Sequence, residues 1–394
     1  MLRRIQALNY RCLHHVDVDL DRFHVLVGPN GCGKSAFFDA IAFASEVMSG
    51  RLHDAVDART RNFQDLVWGR PKNDLWFEIA LELEAPDSLA DDRSSREIDG
   101  PLLRYELAVC EADGEVRTAA ENLEVAGGRP EKDVPLHSDG AVPKSILSHG
   151  PSPFSPKPAR ERWFDHIGEN VARGGLHTTL LDDRLAHTLK SECRLIFLNN
   201  RSLQSPSPPR AIRGPLEPDG SNLPWAVQRL RNVASARFDD WLHHVRTAIR
   251  DLRAIRVVER EDDRHAYLMI RYANDVEVPS WAVSDGTLRL LALTLIAYLP
   301  DSDCIYLLEE PENGIHPLAV EAVYQSLSSM WDSQVLVASH SPELLMCTEP
   351  KNVLCFSTDD EGAAQIVPGH RHPRLAHWRS AADVDLLFAS EILG

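Results

Sequence analysis

GPNGCGKS, the sequence Gly28-Pro29-Asn30-Gly31-Cys32-Gly33-Lys34-Ser35, matches the pattern GxxxxGK(S/T) of a phosphate-binding loop. A compact apolar run predicts a strand directly before it, at Phe23–Val27, and good helix formers predict a helix directly after it, at Lys34–Met48. The glycines let successive backbone N–H groups converge with the positive helix end on an anion. An ordinary glycine-rich turn is the alternative, but it explains neither the lysine nor the hydroxyl. The sequence therefore predicts a triphosphate site.

Two side chains of the loop are suited to ATP and Mg²⁺. The ammonium group of Lys34 would bridge the β and γ phosphates, and the hydroxyl of Ser35 would hold the metal ion. The predicted ATP contacts are the loop residues Gly28, Pro29, Asn30, Gly31, Cys32, Gly33, Lys34 and Ser35.

A second feature is the apolar run Cys304–Glu310 (CIYLLEE), which ends at two carboxylates as a strand buried in a parallel sheet does. Glu309 fits the carboxylate that holds a Mg²⁺-bound water, and Glu310 fits the base that polarises the attacking water. The alternative is a strand that merely ends at the surface. The upstream phosphate-binding loop favours the catalytic interpretation.

A third apolar run, Val335–Ala338, predicts another strand and ends at Ser339-His340-Ser341-Pro342. A histidine at such a position is usually structural. In sheets of this kind, however, ligands bind at the carboxyl ends of the parallel strands. His340 and Glu310 are therefore predicted to lie at the same edge and to take part in catalysis.

The sequence Val283-Ser284-Asp285-Gly286-Thr287 precedes LRLLALTLIAYL, which predicts an apolar helix that runs to Leu299. Ser284 and Asp285 are good N-cap residues. A helix start with a serine hydroxyl and a glycine is a ready anion site, although a capped core helix is the simpler explanation of this segment alone. Its position just before Cys304–Glu310 favours the anion site.

Composition limits the other possibilities. The chain has 394 residues and 43% apolar residues, as expected for a soluble globular protein. Its 42 basic and 59 acidic residues give a net charge of −17, so contact with nucleic acid would need a local basic patch. Seven cysteines without a CxxC pair indicate a reducing cytoplasm, and no apolar run is long enough to cross a membrane.

Taken together, GPNGCGKS, VSDGT, LLEEPENGIHP and VLVASHSP resemble the ABC-type ATPase heads of the SMC, RecF and OLD (overcoming lysogenization defect) group, and OLD-like ATPases most of all. The resemblance spans nearly the whole chain. It implies an α/β P-loop NTPase fold of the ABC type, with a mixed sheet and a β-rich, loop-rich insertion. Leu8-Asn9-Tyr10-Arg11 looks like the N-terminal turn of this group, in which Arg11 would contact phosphate; the alternative for Arg11 is an ordinary surface residue.

The resemblance also implies roles for the other motifs. The Walker B pair is Glu309 and Glu310, and the first acid is a glutamate where aspartate is commoner. His340 matches the switch histidine, Asn313–His316 matches the D-loop, and Gln64 is a candidate for the Q-loop glutamine. The signature motif would contact ATP held by a second chain, so a homodimer or higher oligomer is expected; its residues are Ser284, Asp285, Gly286 and Thr287.

Three segments follow from this resemblance. Residues 1–70 would form the N-terminal part of the ATPase head with Walker A, residues 71–200 a β-strand lobe with a loop or helical insertion, and residues 201–394 the C-terminal part with signature, Walker B and switch histidine. Loops are predicted at 127–162 and Gln204–Asn222, and an amphipathic helix at Ala381–Leu393. The other predicted strands are Leu2–Leu8, Val16–Leu20, Leu75–Glu84, Leu102–Cys110, Glu121–Val125, Ala254–Val258 and Ala266–Tyr272, and the other predicted helices are Leu223–Val233 and Arg237–Arg250.

The resemblance suggests a biological role as well. OLD nucleases carry a Toprim domain after the ATPase, and the residues after His340 are too few for one. We therefore expect a cytoplasmic ATPase of an antiviral (anti-phage) system that controls a separately encoded effector, such as a nuclease or a toxin. The alternatives are a stand-alone RecF/SMC-like DNA-binding repair ATPase, whose heads grip nucleic acid, and a scaffold whose slow ATPase times assembly. His370, His372 and His377 lack paired acids or cysteines at metal-ligand spacing and are interpreted as surface residues.

Overall fold

A computed structural model describes residues 1–48, 51–73, 75–84, 102–126, 193–209, 215–301 and 304–373. The chain divides into two compact units. The first comprises Met1–Asp21, Asn30–Cys193 and Phe356–Ile366, and the second comprises Arg22–Pro29, Arg194–Cys355 and Val367–Gly394. The loop predicted at 127–162, the helix predicted at Ala381–Leu393 and His377 lie outside the described residues. The predicted three-segment division stays a prediction.

Strands and helices alternate along much of the described chain. The strands are β1 (Leu2–Tyr10), β2 (Leu13–Asp19), β3 (Phe23–Val27), β4 (Trp76–Glu84), β5 (Leu102–Ala112), β6 (Glu115–Ala126), β7 (Cys193–Ile196), β8 (Leu252–Glu259), β9 (Ala266–Tyr272), β10 (Glu277–Pro279), β11 (Ile305–Glu309), β12 (Gln334–Ala338), β13 (Val353–Thr358) and β14 (Ala364–Pro368). The helices are α1 (Lys34–Met48), α2 (Leu52–Asp57), α3 (Asn200–Gln204), α4 (Leu223–Val233), α5 (Ser235–Ala248), α6 (Asp285–Ile296), α7 (Pro317–Ser328) and α8 (Pro342–Met346). Among the described helices, none combines the length and the hydropathy that a membrane crossing requires.

The first unit contains an antiparallel sheet with the order β2-β1-β4-β5-β6, which confirms the predicted β lobe and adds β1 and β2 to it. The strand predicted at Glu121–Val125 begins six residues earlier, at Glu115. The reason is a tight hairpin: Asp113 and Gly114 have φ angles of 59° and 78°, as the two central residues of a type I′ turn require. This turn brings β6 alongside β5 directly after β5 ends.

Strand β4 is buried on both faces. The alternation of apolar residues predicts one apolar face, and Ile79 and Leu81 are indeed fully buried. The opposite face carries Glu78 and Glu82, which are 0% and 5% exposed. Buried carboxylates are costly unless cations or hydrogen-bond donors compensate them, so this face needs a partner that the alternation does not reveal.

Arg104 on β5 is that partner for Glu82, and its side chain is only 9% exposed. It donates to Glu82 Oε1 at 2.6 Å, to Glu106 Oε1 at 2.7 Å and to Gln6 Oε1 at 2.8 Å. Arg104 lies directly opposite Glu82 in the register of β4 and β5. The arginine thus joins β1, β4 and β5 on a polar, buried face of the sheet.

The second unit is built around parallel strands. The order in the six-stranded sheet is β14-β13-β3-β12-β11-β7, and β12 pairs in parallel with both β3 and β11. These three strands belong entirely to the second unit and are almost completely buried, as their apolar composition predicts. Helices α4 to α7 supply much of the surrounding core, and a separate antiparallel sheet has the order β10-β9-β8.

The predicted elements agree well with the structure where the sequence carries strong signals. The bounds predicted for β3, α1, α4 and β9 match those observed. The helix predicted to reach Leu299 ends at Ile296, three residues earlier. The mixed α/β fold with several sheets confirms the predicted fold class.

We predict that Arg104→Ala destabilises the protein by about 3–5 kcal/mol, because two buried carboxylates would lose the charged hydrogen-bond donor that joins them. Urea denaturation measures the change in the free energy of unfolding. Arg117→Ala is the matched control on the same sheet, since the Arg117–Asp113 ion pair spans 3.3 Å between exposed side chains and contributes little. Equal losses of stability in the two variants would contradict the role of the buried network.

Candidate functional site

The predicted site residues of the second unit meet at one edge of the parallel sheet. Gly28 directly follows β3, His340 lies two residues beyond β12, and Glu309 is the last residue of β11. Backbone hydrogen bonds continue past the strand ends: Ser339 N donates to Leu26 O at 3.0 Å, and Glu310 N donates to Ala338 O at 2.8 Å. The start of the phosphate-binding loop, the acidic pair and the histidine are therefore neighbours, as expected for a ligand site at the carboxyl ends of parallel strands.

Glu310 has an unusual backbone and an accessible carboxylate. Its φ angle is 43°, in the left-handed region where a residue with a Cβ is strained by about 1–2 kcal/mol. Its side chain is 46% exposed, accepts a hydrogen bond from Asn313 Nδ2, and places Oε1 3.9 Å from His340 Nε2. Such strain is typical of functional positions.

Glu312 lies two residues further along and is oriented differently. Its Oε1 accepts hydrogen bonds from Ser339 Oγ at 2.5 Å and from His340 N at 3.2 Å. Its Oε2 is buried and has no hydrogen-bond partner among the residues that the structure describes. Burial raises the pKa of the Glu312 carboxyl above its usual range, and the two hydrogen bonds oppose that rise. The sequence motif contains this third acid, but its spacing could not show which loop the carboxylate contacts.

The phosphate-binding loop requires glycine at position 33. Gly33 has a φ angle of 106°, and a Cβ there would lie 2.9 Å from Ala364 Cβ and 3.1 Å from Cys12 Sγ. Helix α1 begins at the next residue, and its first hydrogen bond runs from Phe37 N to Gly33 O at 2.8 Å. The backbone is thus close-packed at the helix start, where an anion would be bound.

The two polar side chains that open α1 differ in burial. Lys34 is 8% exposed, and its Nζ lies 3.6 Å from Cys32 Sγ. Ser35 is exposed, so its hydroxyl is accessible to a ligand. The hydroxyl of Ser35 and, on the second unit, the carboxylate of Glu309 are each oxygen donors of the kind that Mg²⁺ prefers. These residues fit a magnesium–triphosphate ligand in their chemistry.

Arg11 sits in a constrained turn of the first unit. Asn9 and Arg11 have φ angles of 60° and 51°, and Tyr10 between them donates its hydroxyl to Asp39 Oδ2 at 2.6 Å. Arg11 Nε lies 2.9 Å from the same oxygen, so Asp39 on α1 holds both side chains. A cleft of about 560 Å³ adjoins this turn and is lined by Arg11, Cys12, Ala36, Trp68, Arg70 and Glu361, among others.

The signature segment begins helix α6. Ser284 is exposed and caps the helix, since its Oγ accepts a hydrogen bond from Thr287 N at 3.2 Å and donates to Thr287 Oγ1 at 2.8 Å. Gly286 packs so closely on the backbone that a Cβ would collide with the carbonyl oxygen of Gly314. The helix start and the predicted D-loop are therefore in direct contact.

The short helix α3 supports the start of α6, and sequence reasoning missed it. Asn200 Nδ2 and Gln204 Nε2 donate to the carboxylate of Asp285 at 3.0 Å and 2.6 Å. Arg289 Nε in turn donates to Asn200 Oδ1 at 2.7 Å. The carboxylate of Asp285 is thus engaged with α3, and its predicted contact with ATP stays a prediction. No residue type in α3 signals this role from sequence alone.

One weaker candidate of the sequence analysis has other contacts. Gln64 donates from Nε2 to Arg70 O at 2.7 Å and to Pro71 O at 2.8 Å, so its assignment to the Q-loop stays a prediction.

Within the described ranges, no group of three or more His, Cys, Asp or Glu side chains is placed to hold a metal ion; His370 and His372 belong to these ranges.

Two family models and one curated relative match parts of the chain. Residues 1–99 match the family model "AAA ATPase domain", and residues 204–346 match "AAA domain, putative AbiEii toxin, Type IV TA system". A stretch of 41 residues, 10% of this chain, is 46% identical to the OLD nuclease of Thermus scotoductus (strain ATCC 700910 / SA-01). That stretch spans 8% of the length of the nuclease.

The fold is similar to that of SMC heads. An SMC head bound to the C-winged helix domain of ScpA aligns with a TM-score of 0.55 over 93% of this chain and 96% of that chain, at 14% identity. An SMC head with an extended coiled coil, bound to the C-terminal domain of ScpA from Pyrococcus furiosus, aligns with a TM-score of 0.46 over 93% of this chain and 95% of that chain, at 15% identity. At such identities the likeness concerns the fold alone. The two matched segments are thus similar to AAA ATPase domains, a short stretch is similar to an OLD nuclease, and the fold is like that of an SMC head, which together fit an OLD-like ABC ATPase.

Proposed function

We propose that the protein hydrolyses ATP at sites that two copies of the chain complete together, and that its nucleotide state controls a separately encoded effector in antiviral defence. The observation that carries the proposal is the shared sheet edge: Gly28, Glu310 and His340 follow three adjacent parallel strands. An anion-binding loop beside a general base is the arrangement that phosphoryl transfer to water needs.

Each residue of the proposed site has a chemical task. Lys34 and the loop N–H groups bind the phosphates, and Arg11 contributes a further cation. The carboxylate of Glu310 accepts a proton from the attacking water, and His340 lies within reach of the same water. Bound Mg²⁺, held by Ser35 and Glu309, would supply positive charge to the phosphate oxygens.

The second copy would contribute its signature helix. Ser284 is exposed at the start of α6, a helix of 12 residues whose N-terminal end is positive. Gly286 is packed on Gly314, so the helix start cannot move without the D-loop. In the ABC-type arrangement this helix start binds the γ-phosphate held by the other chain, which gives two shared sites in each homodimer. ATP would then favour the closed dimer over ADP by its greater affinity for that state.

The biological role is supported by the comparisons and not by the site itself. The OLD nuclease match and a family description that names a toxin–antitoxin system both favour a defence function, with a nuclease or toxin as the effector. The matched SMC head is bound to a domain of ScpA, which is in keeping with a head that binds a partner protein. All seven cysteines are free thiols, in agreement with a cytoplasmic protein.

The first prediction of the proposed function is that Glu310→Gln lowers kcat for ATP hydrolysis by about 10²- to 10⁴-fold while ATP binding is retained. The amide keeps the shape of the side chain but loses its basicity. Steady-state phosphate release and a direct ATP titration measure the two properties. Lys34→Ala is the control for the opposite defect, loss of binding. Normal turnover by Glu310→Gln would remove Glu310 from the proposed mechanism.

The second prediction tests the shared site by mixing two inactive variants. Ser284→Arg blocks the docking of a phosphate by steric bulk, and Lys34→Ala removes the phosphate-binding cation. In a mixed dimer one shared site carries both changes and the other carries neither, so part of the ATPase activity should return. Ser284→Arg alone with full activity would rule out the shared site.

The third prediction concerns the role. The product of the neighbouring gene should co-purify with this chain, and protection of cells against phage, measured by plaque counts, should be lost in Lys34→Ala and in Glu310→Gln. Purified protein that binds duplex DNA by itself, with an affinity that falls steeply with salt, and that retains no partner would favour the stand-alone DNA-binding repair ATPase instead.

A further inference from the structure

Glu312 connects two loops that follow adjacent strands. Its backbone belongs to the loop after β11, which also carries Glu310, and its carboxylate accepts hydrogen bonds from the loop after β12, which carries His340. We propose that Glu312 is a positioning residue of the ATPase reaction, which fixes the His340 loop against the Glu310 loop. The proposal rests on the proposed function, because it takes Glu310 and His340 to act on the same water.

The backbone around Glu312 is held in place. Asn313 N donates to Glu310 O at 3.0 Å, and Ile315 N donates to Glu312 O at 2.9 Å, so the loop folds into consecutive turns. The Asn313 side chain also donates to the Glu310 carboxylate. The position of the Glu312 carboxylate relative to Glu310 is therefore set by short-range contacts.

The donor side of the connection, in the loop after β12, is equally specific. Ser339 Oγ donates to Glu312 at 2.5 Å while it accepts a hydrogen bond from Ser341 N at 2.9 Å. His340 N donates to the same Glu312 oxygen at 3.2 Å. The carboxylate thus fixes both the backbone and the hydroxyl of the loop, with hydrogen bonds of the kind that a charged acceptor strengthens.

Direct contact between His340 and Glu310 does not provide this alignment. Their side chains approach only to 3.9 Å, which is longer than a hydrogen bond. Their separation is therefore determined by the two loops, and Glu312 is the side chain that joins these loops. A misplacement of about 1 Å in such a pair can lower a rate by about 10²-fold.

The choice of an acid at position 312 argues against a purely structural role. One carboxylate oxygen is buried without a hydrogen-bond partner in the described part of the chain, which costs stability. Two other acids, Glu309 and Glu310, lie within three residues. An unpartnered buried oxygen beside a site calls for an explanation, and a role in positioning the His340 loop supplies one.

The test begins with Glu312→Ala in the full chain. We expect kcat for ATP hydrolysis to fall at least about tenfold while the ATP dissociation constant changes less than about twofold, because the alignment and not the binding is lost. Glu312→Gln keeps an oxygen that can accept both hydrogen bonds and should recover most of kcat. If Glu312→Ala does not fold, Glu312→Asp replaces it, since the side chain is one methylene too short to reach both donors.

Glu343→Ala is the matched control. Glu343 accepts a hydrogen bond from Ser341 Oγ at 2.7 Å, so the control removes a glutamate–serine contact from the same segment without touching His340. Its kcat should stay close to that of the unchanged chain.

A second readout separates positioning from stability. In the His340→Ala background, Glu312→Ala should lower kcat by less than about twofold. The reason is that the effects of two substitutions are not additive when one residue acts through the other. Equal losses in both backgrounds, or normal kcat for Glu312→Ala beside an inactive Glu310→Gln, would overturn the positioning role and leave the proposed function intact. Normal turnover by Glu310→Gln would overturn the proposed function itself.

Discussion

The parallel pairing of β12 with β3 on one side and β11 on the other is the constraint on which the site depends. Ala338 is paired with both Leu26 and Glu309, so the three strands end together. The polar residues begin directly where the buried strands stop. A shift of one residue in either pairing would turn every side chain to the opposite face and separate the two loops that Glu312 joins. The apolar strand sequences therefore determine the site as much as its polar residues do.

Charge is the second requirement at this edge. Glu309, Glu310 and Glu312 place three carboxylates within a stretch of four residues, and like charges so close together repel. The structure separates their environments: Glu310 is accessible, and Glu312 faces Ser339 and the His340 backbone and is raised in pKa by burial. A bound cation would compensate the negative charge of the acids that face the edge, whereas hydrogen bonds stabilise the acid that does not face it. Such a division lets closely spaced acids have different tasks.

The sequence could predict what depends on local chemistry. Strand β3 and helix α1 flank a motif that requires both, and their bounds are as predicted. What could not be predicted depends on distant contacts or on unusual backbone angles. Arg104 lies in an alternating strand, and only the structure reveals that its polar face is buried. The left-handed φ of Glu310 has no sequence signature at all. The contact of Glu312 with Ser339 joins residues 27 positions apart, and no spacing rule reveals it.

The proposed mechanism therefore depends on where a nucleotide binds and which chain completes its site. A crystal structure of the Glu310→Gln protein with ATP and Mg²⁺ tests this claim most directly. We expect a γ-phosphate that contacts Lys34 of one chain and the partner subunit's Ser284, next to residues 310 and 340. A nucleotide bound away from this edge, or a monomer whose γ-phosphate is reached by its own Ser284, would contradict it.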